Sequence, residues 1–451
     1  MSSFCCCCKD EINYNLDDLT MATQILPKKE NRETLLQKNE LSPNNNYLIT
    51  FGSVTYGKVI DLNSLLKKPN TKINIKNICF GDLHSLFLFE VINDNDKTNV
   101  IYGYGSNQNG ELGLQYIQGE KNEYNYLVEI NLDDYMDKPP IFWKQNYYYT
   151  IEDIGVGNGF SLISIKYKNK DDISLYRFQL KKEDKYDTII KKTETRKKSI
   201  FKEKFNTMIY GNIIQFKCFV DRVLILTNKN NLLMKGTLFN MDIAEDYTII
   251  ATFKETILNL NAGINDCLIL DDKSNILLVG HGEYGEFGLE NTIDLTKKGQ
   301  YLINDYFNDY FNRNNLEINK MSTGARHSLV LCSNGEVYCF GDNSDGQCCG
   351  YEKIVTSPVK VKFENNSEFI VDIKAGFNHS IAKSKSGKIF VWGDSTWDKL
   401  GFKETRIDQY VPVEVSDMKI RNVIRIFAGP LQSAFFISGG VSLTADVNES
   451  K

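Results

Sequence analysis

The chain has 451 residues and a formal net charge of −5 at pH 7, from 53 Lys and Arg against 58 Asp and Glu. This acidic balance argues against a protein that binds nucleic acid over its whole surface, so we expect no direct nucleic-acid binding. Hydrophobic residues make up 42% of the chain, which is enough for a large core. No apolar run approaches the roughly 18 residues of a membrane-spanning helix, so we expect no transmembrane segment.

The first segment, residues 1–46, carries no repeat, and we predict that it is mostly disordered or forms a short helix. Its unusual feature is a run of four cysteines: Cys5, Cys6, Cys7 and Cys8. Neighbouring side chains point apart, so four adjacent thiols cannot share one tetrahedral metal ion. A cysteine cluster beside an apolar residue suits S-acylation, and two acyl chains give stable membrane attachment. Two hypotheses stay open, an acylated membrane anchor and an unmodified tail.

The cellular compartment is inferred from the N-terminus and the cysteines. The first residues show no apolar h-region of a secretory signal. Five later cysteines lie in apolar strand patterns, where a free thiol packs as a small hydrophobic group: Cys79, Cys218, Cys267, Cys332 and Cys339. We therefore expect an intracellular, largely reduced, cytoplasmic protein, with membrane association and the nucleus as open alternatives.

One pattern recurs through the rest of the chain. Its clearest copies are Met321–Gly350 and Ile373–Gly401, each with a Gly, a His-Ser pair, an apolar strand, a turn, a second apolar strand and a Gly-rich tail. The distance from the first Gly to the Gly after the second strand is 17 residues in both. With that first position as the landmark, we count seven units, at Gly81, Gly157, Phe219, Gly263, Gly324, Gly376 and Gly429.

Each unit has the length of one propeller blade. Four short strands with their turns need about 40 to 50 residues, and longer spacings indicate loop insertions. The last unit, Ile426–Gly439, lacks its second half, whereas Tyr47–Lys58 resembles that missing half. Joining them closes the ring and removes its exposed edges. We predict an all-β, seven-bladed β-propeller over residues 47–440, closed by strands from both ends, with long loop insertions and a C-terminal tail at 441–451.

The units resemble the regulator of chromosome condensation repeat, whose pattern is approximately small-Gly-x-x-His-Ser/Thr, strand, x-x-Gly, strand, Gly-Asp-Asn-x-x-Gly-Gln-Leu-Gly. The resemblance covers residues 47–440 and is best in the fifth and sixth units. It implies a seven-bladed propeller whose chain ends share a blade. Two tails depart from the pattern, because Gln347-Cys348-Cys349 stands for Gln-Leu-Gly and Trp397-Asp398-Lys399 stands for x-Gly-Gln.

The repeat residues are predicted to be structural. His84, His327 and His379 occupy one repeat position in different units, so a propeller spreads them around its ring and each is expected to be buried and hydrogen-bonded. The repeat glycines are expected to permit close blade packing or positive φ: Gly81, Gly105, Gly110, Gly157, Gly263, Gly280, Gly324, Gly341, Gly346, Gly376, Gly393 and Gly429. The sequence predicts no catalytic residue, no metal site and no cofactor.

Three insertions are the candidates for partner binding, since loops on a rigid scaffold often carry function. They are residues 114–149, 181–204 and 290–319, and the second holds ten Lys or Arg against five Asp or Glu. An apolar or basic run within a polar loop favours a partner site. The candidate contacts are Trp143, Lys191, Lys192, Arg196, Lys197, Lys198, Tyr306, Phe307, Tyr310 and Phe311.

Two functions compete at this point. The first is a non-enzymatic, monomeric propeller that binds partner proteins through its loop faces in a scaffolding or regulatory role. The second is guanine-nucleotide exchange on a small Ran-like GTPase, which the resemblance implies because the best-known members of that family act in this way. Exchange needs a wedge that displaces the nucleotide, and no residues here match a recognisable wedge. The sequence therefore favours the binding module.

Overall fold

The structure is a computed structural model of the chain. It describes residues 45–52, 58–66, 71–93, 96–114, 122–132, 149–168, 173–179, 200–237, 243–290, 294–295, 301–303, 305–363, 368–401, 407–415 and 423–438. At positions 201, 303, 306 and 307 the description is limited to the backbone.

The described strands form seven antiparallel sheets, six with four strands and one with five. In chain order the strands are β1 (Tyr47–Gly52), β2 (Val59–Asp61), β3 (Thr71–Phe80), β4 (His84–Asn93), β5 (Asp96–Ser106), β6 (Glu123–Glu129), β7 (Tyr149–Gly157), β8 (Phe160–Tyr167), β9 (Ile173–Phe178), β10 (Ile200–Lys202), β11 (Ile213–Phe219), β12 (Arg222–Thr227), β13 (Asn231–Thr237), β14 (Ile243–Thr252), β15 (Ile257–Ala262), β16 (Asp266–Asp271), β17 (Ile276–His281), β18 (Asp294–Leu295), β19 (Leu302–Ile303), β20 (Ile318–Thr323), β21 (His327–Cys332), β22 (Val337–Asp342), β23 (Ile354–Lys360), β24 (Ile370–Ala375), β25 (His379–Ser384), β26 (Ile389–Gly393), β27 (Gln409–Glu414), β28 (Val423–Ala428) and β29 (Gln432–Ile437). The helical segments among the described residues are α1 (Thr207–Tyr210), α2 (Asp305–Arg313) and the 3₁₀ turns Leu62–Leu65 and Thr396–Asp398.

Each sheet is one blade of a propeller. Blades one to six contain β3–β6, β7–β10, β11–β14, β15–β19, β20–β23 and β24–β27, each starting with its innermost strand. Blade seven has the order β28, β29, β1, β2. The predicted all-β, seven-bladed propeller is confirmed.

Blade seven is built from both ends of the propeller. Strand β1 pairs antiparallel with β29 along its whole length, from Tyr47 opposite Ile437 to Gly52 opposite Gln432. The pairing of the two ends leaves no open sheet edge between the first and the last unit. The prediction that Tyr47–Gly52 shares a blade with the last unit is confirmed.

The innermost strand of every blade carries one extra residue at the same place. The register between the first and second strands shifts there in all seven blades, for example between Ile318 and Lys320 in blade five. Such a β-bulge increases local twist and redirects the side chains that follow it. Directly after it, Lys320 pairs with Asp372 of blade six. The bulge therefore contributes polar contacts between adjacent blades.

The hydrophobic core lies between neighbouring blades. In β21 all six residues are buried, because both faces of the sheet are covered by adjacent sheets. Leu329 and Leu331 of this strand belong to one cluster that extends from blade four to blade six. Full burial of such a side chain contributes about 1.5–3 kcal/mol to the free energy of folding.

Helix α2 occupies part of the insertion that we expected to bind a partner. Phe311 is buried, and its ring packs edge-on against Tyr338 with the centroids 5.1 Å apart. Tyr310 is half-buried against the same ring, at 6.0 Å. Phe311, selected above as a partner contact, is therefore a packing residue of blade five. The signal for a helix was the four-residue spacing between the aromatic pairs at 306–307 and 310–311.

Candidate interaction surface

Six of the seven landmark residues are glycines that face the next blade. A Cβ on Gly324 would lie 2.3 Å from the carbonyl oxygen of Gly376 and 2.4 Å from the His327 ring. A Cβ on Gly376 would lie 2.0 Å from the His379 ring and 2.6 Å from the carbonyl oxygen of Gly429. Neither position has room for a side chain, and a Cβ on Gly81, Gly157, Gly263 or Gly429 would likewise have its nearest neighbour at 2.2–2.6 Å.

A second set of repeat glycines lies at the end of the third strand of several blades and in the tail that follows. At Gly341 the φ angle is 114°, and a Cβ would lie 2.4 Å from the carbonyl oxygen of Arg326. Only glycine adopts this conformation without strain. The other predicted glycines of this set also have positive φ: Gly105, Gly110, Gly280, Gly346 and Gly393.

The three repeat histidines each join two blades. The distance from His Nε2 to the Ser Oγ of the next blade is 2.9 Å for His84 and Ser161, 3.0 Å for His327 and Ser380, and 3.0 Å for His379 and Ser433. All three serines are completely buried. Because no substrate can reach such a hydroxyl, these Ser-His pairs hold blades together and do not form nucleophilic dyads.

Burial keeps these imidazoles neutral. It lowers the pKa of His84 to about 3 and that of His327 to about 4. The pKa of His379 lies well below its ordinary value, because of burial and the nearby Lys399 ammonium. A neutral imidazole avoids the desolvation penalty of a buried cation.

In the other four blades a different residue occupies the repeat position of the histidine: Phe160, Arg222, Asp266 and Gln432. Arg222 and Gln432 keep the contact between blades, since they donate to the carbonyl oxygens of Ile264, at 2.6 Å, and Gly81, at 3.1 Å.

Blade four differs most from the other blades at this position, because two buried carboxyl groups lie near each other there. Burial, and next the nearby Glu286 carboxyl, raise the pKa of Asp266 well above its ordinary value. Burial also raises the pKa of Glu286 to about 7. Our sequence analysis missed this pair, although Asp266 lies three residues after its landmark glycine, where His stands in blades five and six.

The innermost strands of all seven blades line a central channel with a cavity of about 240 Å³. Phe219, which replaces the landmark glycine of blade three, stacks on Phe377 of blade six with the ring centroids 5.3 Å apart. These blades are not neighbours, so the two rings meet across the channel. Burial, together with the nearby cations Lys320 and Lys217, lowers the pKa of Lys374 in the channel wall to about 8.

An exposed apolar surface lies on blades five and six, at the end that carries their Gly-rich tails. We call it the blade five–six surface and define it by Tyr351, Ile354, Ile407, Tyr410 and Val411. Tyr351 is 86% exposed, and its ring stacks on Tyr410 with the centroids 5.3 Å apart. Ile354, Ile407 and Val411 are also exposed. Clustered aromatic and aliphatic side chains of this kind are typical of protein contact surfaces.

The loop that carries Tyr351 is held by its own hydrogen bonds. Nδ2 of Asn343 lies 3.1 Å from the carbonyl oxygens of Cys349 and Gly350 and 2.6 Å from that of Glu352. The Gly350 N–H donates to the carbonyl oxygen of Tyr410 at 2.8 Å. The exposed tyrosine is therefore mounted on an ordered loop.

Carboxylates border this surface. Burial, together with the nearby carboxylates of Asp394, Asp408 and Asp342, raises the pKa of Asp345 to about 6. Lys399 is fully buried and forms an ion pair with Asp394. The border therefore combines several negative charges with one buried cation.

Comparison with known proteins finds family matches in the two blades that carry this surface. The family model of the Regulator of chromosome condensation (RCC1) repeat matches residues 318–347 and 370–396, and a second model of the same description matches residues 334–382. These ranges fall in blades five and six, and the fold has the seven blades of the family. Blades five and six therefore carry the regulator of chromosome condensation repeat.

Individual relatives match only parts of the chain. A bifunctional serine/threonine-protein kinase/NEDD4-like E3 ubiquitin-protein ligase of Dictyostelium discoideum is 28% identical over 179 residues, which are 37% of this chain and 9% of that protein. The RCC1-like G exchanging factor-like protein of Homo sapiens is 26% identical over 148 residues, which are 32% of this chain and 30% of that protein. The chain thus spans less than a third of the length of either relative.

A solved RCC1 propeller has the same fold. The structure of Prp20p from Saccharomyces cerevisiae, described with its binding properties to Gsp1p and histones, matches with a TM-score of 0.65. The match covers 92% of this chain and 96% of that chain at 17% identity. At this identity the similarity shows the propeller architecture.

Two residues of this RCC1-repeat propeller stand where the family pattern has glycine. Cys349 has a φ of 66° and Asp398 a φ of 58°. The glycines at the equivalent tail positions of other blades, Gly288 and Gly346, have φ of 61° and 85°. A residue with a Cβ in this left-handed region is strained by about 1–2 kcal/mol. At Cys349 and Asp398 the backbone therefore keeps the left-handed conformation of the RCC1 repeat without its glycine, and it is strained at these two positions.

Most of the predicted partner contacts lie outside the described side chains of this RCC1-repeat chain: Trp143, Lys191, Lys192, Arg196, Lys197, Lys198, Tyr306 and Phe307. The lipidation candidates Cys5, Cys6, Cys7 and Cys8 also lie outside the described residues. Within the described part of the chain, no group of three or more His, Cys, Asp or Glu is placed to hold a metal ion. No described helix has both the length and the apolar character needed to cross a bilayer.

Our sequence analysis also missed the blade five–six surface. Tyr351 and Tyr410 belong to different repeat units and are far apart in the chain, so no local pattern links them. The available signal was the position of Tyr351 directly after the Gly-rich tail, where the repeat itself needs no aromatic residue.

Proposed function

We propose that this chain is a non-enzymatic propeller that binds a partner protein through the blade five–six surface. The observation that carries the proposal is the exposed Tyr351, which lies on a loop held by Asn343 and stacks on the half-buried Tyr410 of strand β27. Tyrosine and neighbouring aliphatic groups supply much of the binding energy at protein interfaces. Because the stack is already formed, association would order few side chains, which favours binding.

The relatives support a protein partner of this kind. Prp20p, which has the same propeller fold, is described as binding Gsp1p and histones. A propeller offers rigid loop faces on which such contacts can be built with little change in the scaffold.

Site-specific photocrosslinking tests this function. A photoreactive amino acid replaces Tyr351 in one variant and Tyr126, an exposed tyrosine of blade one, in the control. We expect irradiation in cells to give a discrete crosslinked protein from position 351 and none from position 126. Equal crosslinking at both positions, or none at either, would contradict the proposal.

Guanine-nucleotide exchange is the second candidate, and the partial similarity to the human RCC1-like G exchanging factor-like protein favours it. A nucleotide-release assay with labelled GDP, a panel of small GTPases and the purified chain separates the two functions. A binding module leaves the release rate at its intrinsic value for every GTPase. An acceleration of ten-fold or more with one GTPase would replace the binding-module proposal by an exchange function.

A further inference from the structure

The blade five–six surface places carboxylates directly beside its aromatic pair. The hydroxyl of Tyr410 donates to the carbonyl oxygen of Ser344 at 3.3 Å, which brings this ring next to the loop of Asp345. Asp408 precedes Tyr410 by two residues, and its Oδ1 accepts from the Ser395 N–H at 3.0 Å. An apolar area and a negative border thus lie within one contact region.

The negative charge of this border is only partly neutralised from within. Lys399 is buried and pairs with Asp394. Oδ2 of Asp345 accepts from the neutral Asn378 amide at 2.9 Å, and Asp408 accepts from a neutral backbone N–H. Both donors are neutral, so neither hydrogen bond offsets the negative charge of a carboxylate, and this charge attracts cations from solution.

The same face already contains the contact that a cationic partner would make. The guanidinium of Arg326 lies 4.3 Å from the ring centroid of Tyr284. Tyr284 occupies the tail position in blade four that Asp345 occupies in blade five. One face of the Tyr351 ring is covered by Tyr410, and its high exposure leaves the rest to solvent. A cation placed over an aromatic ring is attracted by the negative face of the π system.

We infer that the partner segment bound at the blade five–six surface is basic. Its Arg or Lys side chains pair with Asp345 and Asp408, and one of them lies over the ring of Tyr351. Aliphatic parts of the same segment cover Ile407 and Val411. This inference rests on the proposed function and adds the chemistry of the partner.

Fluorescence anisotropy with the purified full chain tests the inference. The probes are two labelled ten-residue peptides, one of alternating Arg and Gly and one of alternating Glu and Gly. We expect the Arg peptide to bind at least ten-fold tighter than the Glu peptide. Tyr351→Ser should weaken Arg-peptide binding about ten-fold. Asp345→Asn with Asp408→Asn should weaken it by a similar factor and reduce its salt dependence, because Asn keeps the hydrogen-bond acceptor and removes the charge.

Matched controls remove the same groups from other blades. Tyr126→Ser deletes an exposed tyrosine of blade one, and Asp246→Asn with Asp272→Asn deletes two exposed carboxylates of blades three and four. Each control should change Arg-peptide affinity less than two-fold. Equal weakening by the controls would show that the peptide responds only to the overall negative charge, and would overturn the inference.

The outcomes separate this inference from the proposed function. Crosslinking at position 351 without preference for the Arg peptide would leave the binding function standing and refute the basic partner. Absence of both crosslinking and peptide preference would refute the function and the inference together. Preference for the Arg peptide that disappears in Tyr351→Ser and persists in Tyr126→Ser supports both.

Discussion

The Nε2 atom of His327 in blade five lies 3.0 Å from the Ser380 hydroxyl of blade six. That hydroxyl donates its own proton to the carbonyl oxygen of Gln347 at 2.9 Å. Nε2 must therefore carry the proton of the neutral imidazole and donate it to Ser380. The chain of two hydrogen bonds links blade five to blade six and back to the tail of blade five.

Ser380→Ala tests the contribution of this chain. It removes the acceptor of a buried N–H, so we expect the free energy of unfolding to fall by about 1–3 kcal/mol. The measurement is denaturant unfolding followed by circular dichroism. Ser333→Ala, at an exposed turn, should stay within about 0.5 kcal/mol of the parent. A loss no larger than that of the control would contradict the assigned role.

Gly324→Val tests the closeness of the blades. The new side chain would overlap the carbonyl oxygen of Gly376 and the His327 ring, so we expect a loss above about 4 kcal/mol or failure to fold. Gly387 is the control, since a Cβ there meets nothing within 4 Å and φ is 89°. Gly387→Ala should lower stability only by the backbone strain of about 1–2 kcal/mol. Thermal unfolding of both variants distinguishes steric overlap from strain.

Glu286→Gln tests the buried carboxyl pair of blade four. Burial raises the pKa of Glu286 in the folded state to about 7, above its ordinary 4.5. The folded state therefore holds the proton more tightly than the unfolded state, and stability falls as the pH rises from about 4.5 to 7, by up to about 3 kcal/mol. Glutamine keeps the neutral form, as Gln347 does in blade five, where Oε1 accepts from the Asp345 N–H at 2.9 Å.

The expected result is a higher stability of Glu286→Gln at pH 8 and little difference near pH 4.5. Urea unfolding midpoints across this range provide the measurement. Glu111→Gln is the control, because it makes the same substitution at the equivalent position of blade one. This variant should still lose the stability that the parent loses as the pH rises, because Glu286 is unchanged. An unchanged pH profile in Glu286→Gln would show that this carboxyl does not cause it.

We predict opposite effects on stability when each of the adjacent residues Cys348 and Cys349 is replaced by glycine. Cys349→Gly relieves the strain of a left-handed backbone conformation, but glycine also has more conformational entropy in the unfolded chain. We therefore expect a net rise of up to about 1 kcal/mol in the free energy of unfolding. Cys348→Gly removes a completely buried side chain and should lower it by about 2 kcal/mol. Thermal unfolding under reducing conditions compares the two. Destabilisation of equal size in both variants would argue against strain at Cys349.

If the thiols of Cys5–Cys8 carry acyl chains, we expect the protein to attach to membranes. Each chain contributes about 0.8 kcal/mol per buried CH₂ group, so two chains suffice for stable binding. Replacement of Cys5–Cys8 by Ser should move the protein from the membrane fraction to the soluble fraction, and hydroxylamine should do the same by cleaving thioesters. A parent protein that is already soluble in cells, or a Ser variant that stays on membranes, would refute the anchor.

The sequence by itself determined the architecture. Gly324 and Gly376 each stand 17 residues before a second repeat glycine, Gly341 or Gly393, and the half-unit at Tyr47 complements the one at Ile426. These features are local and periodic, so they are visible without coordinates. The period also placed His327 and His379 in equivalent sites, because residues at one repeat position meet the same neighbours around a closed ring.

Tertiary structure decided what the ring does with residues that break the repeat. Phe219 stacks on Phe377 from a blade that is not its neighbour, and the buried carboxyls of Asp266 and Glu286 lie near enough to interact electrostatically. Tyr351 meets Tyr410 only because blades five and six are adjacent and their tails fold towards each other. Such contacts depend on the packing of one blade against another and on the path of each loop, and neither quantity is encoded by a local period.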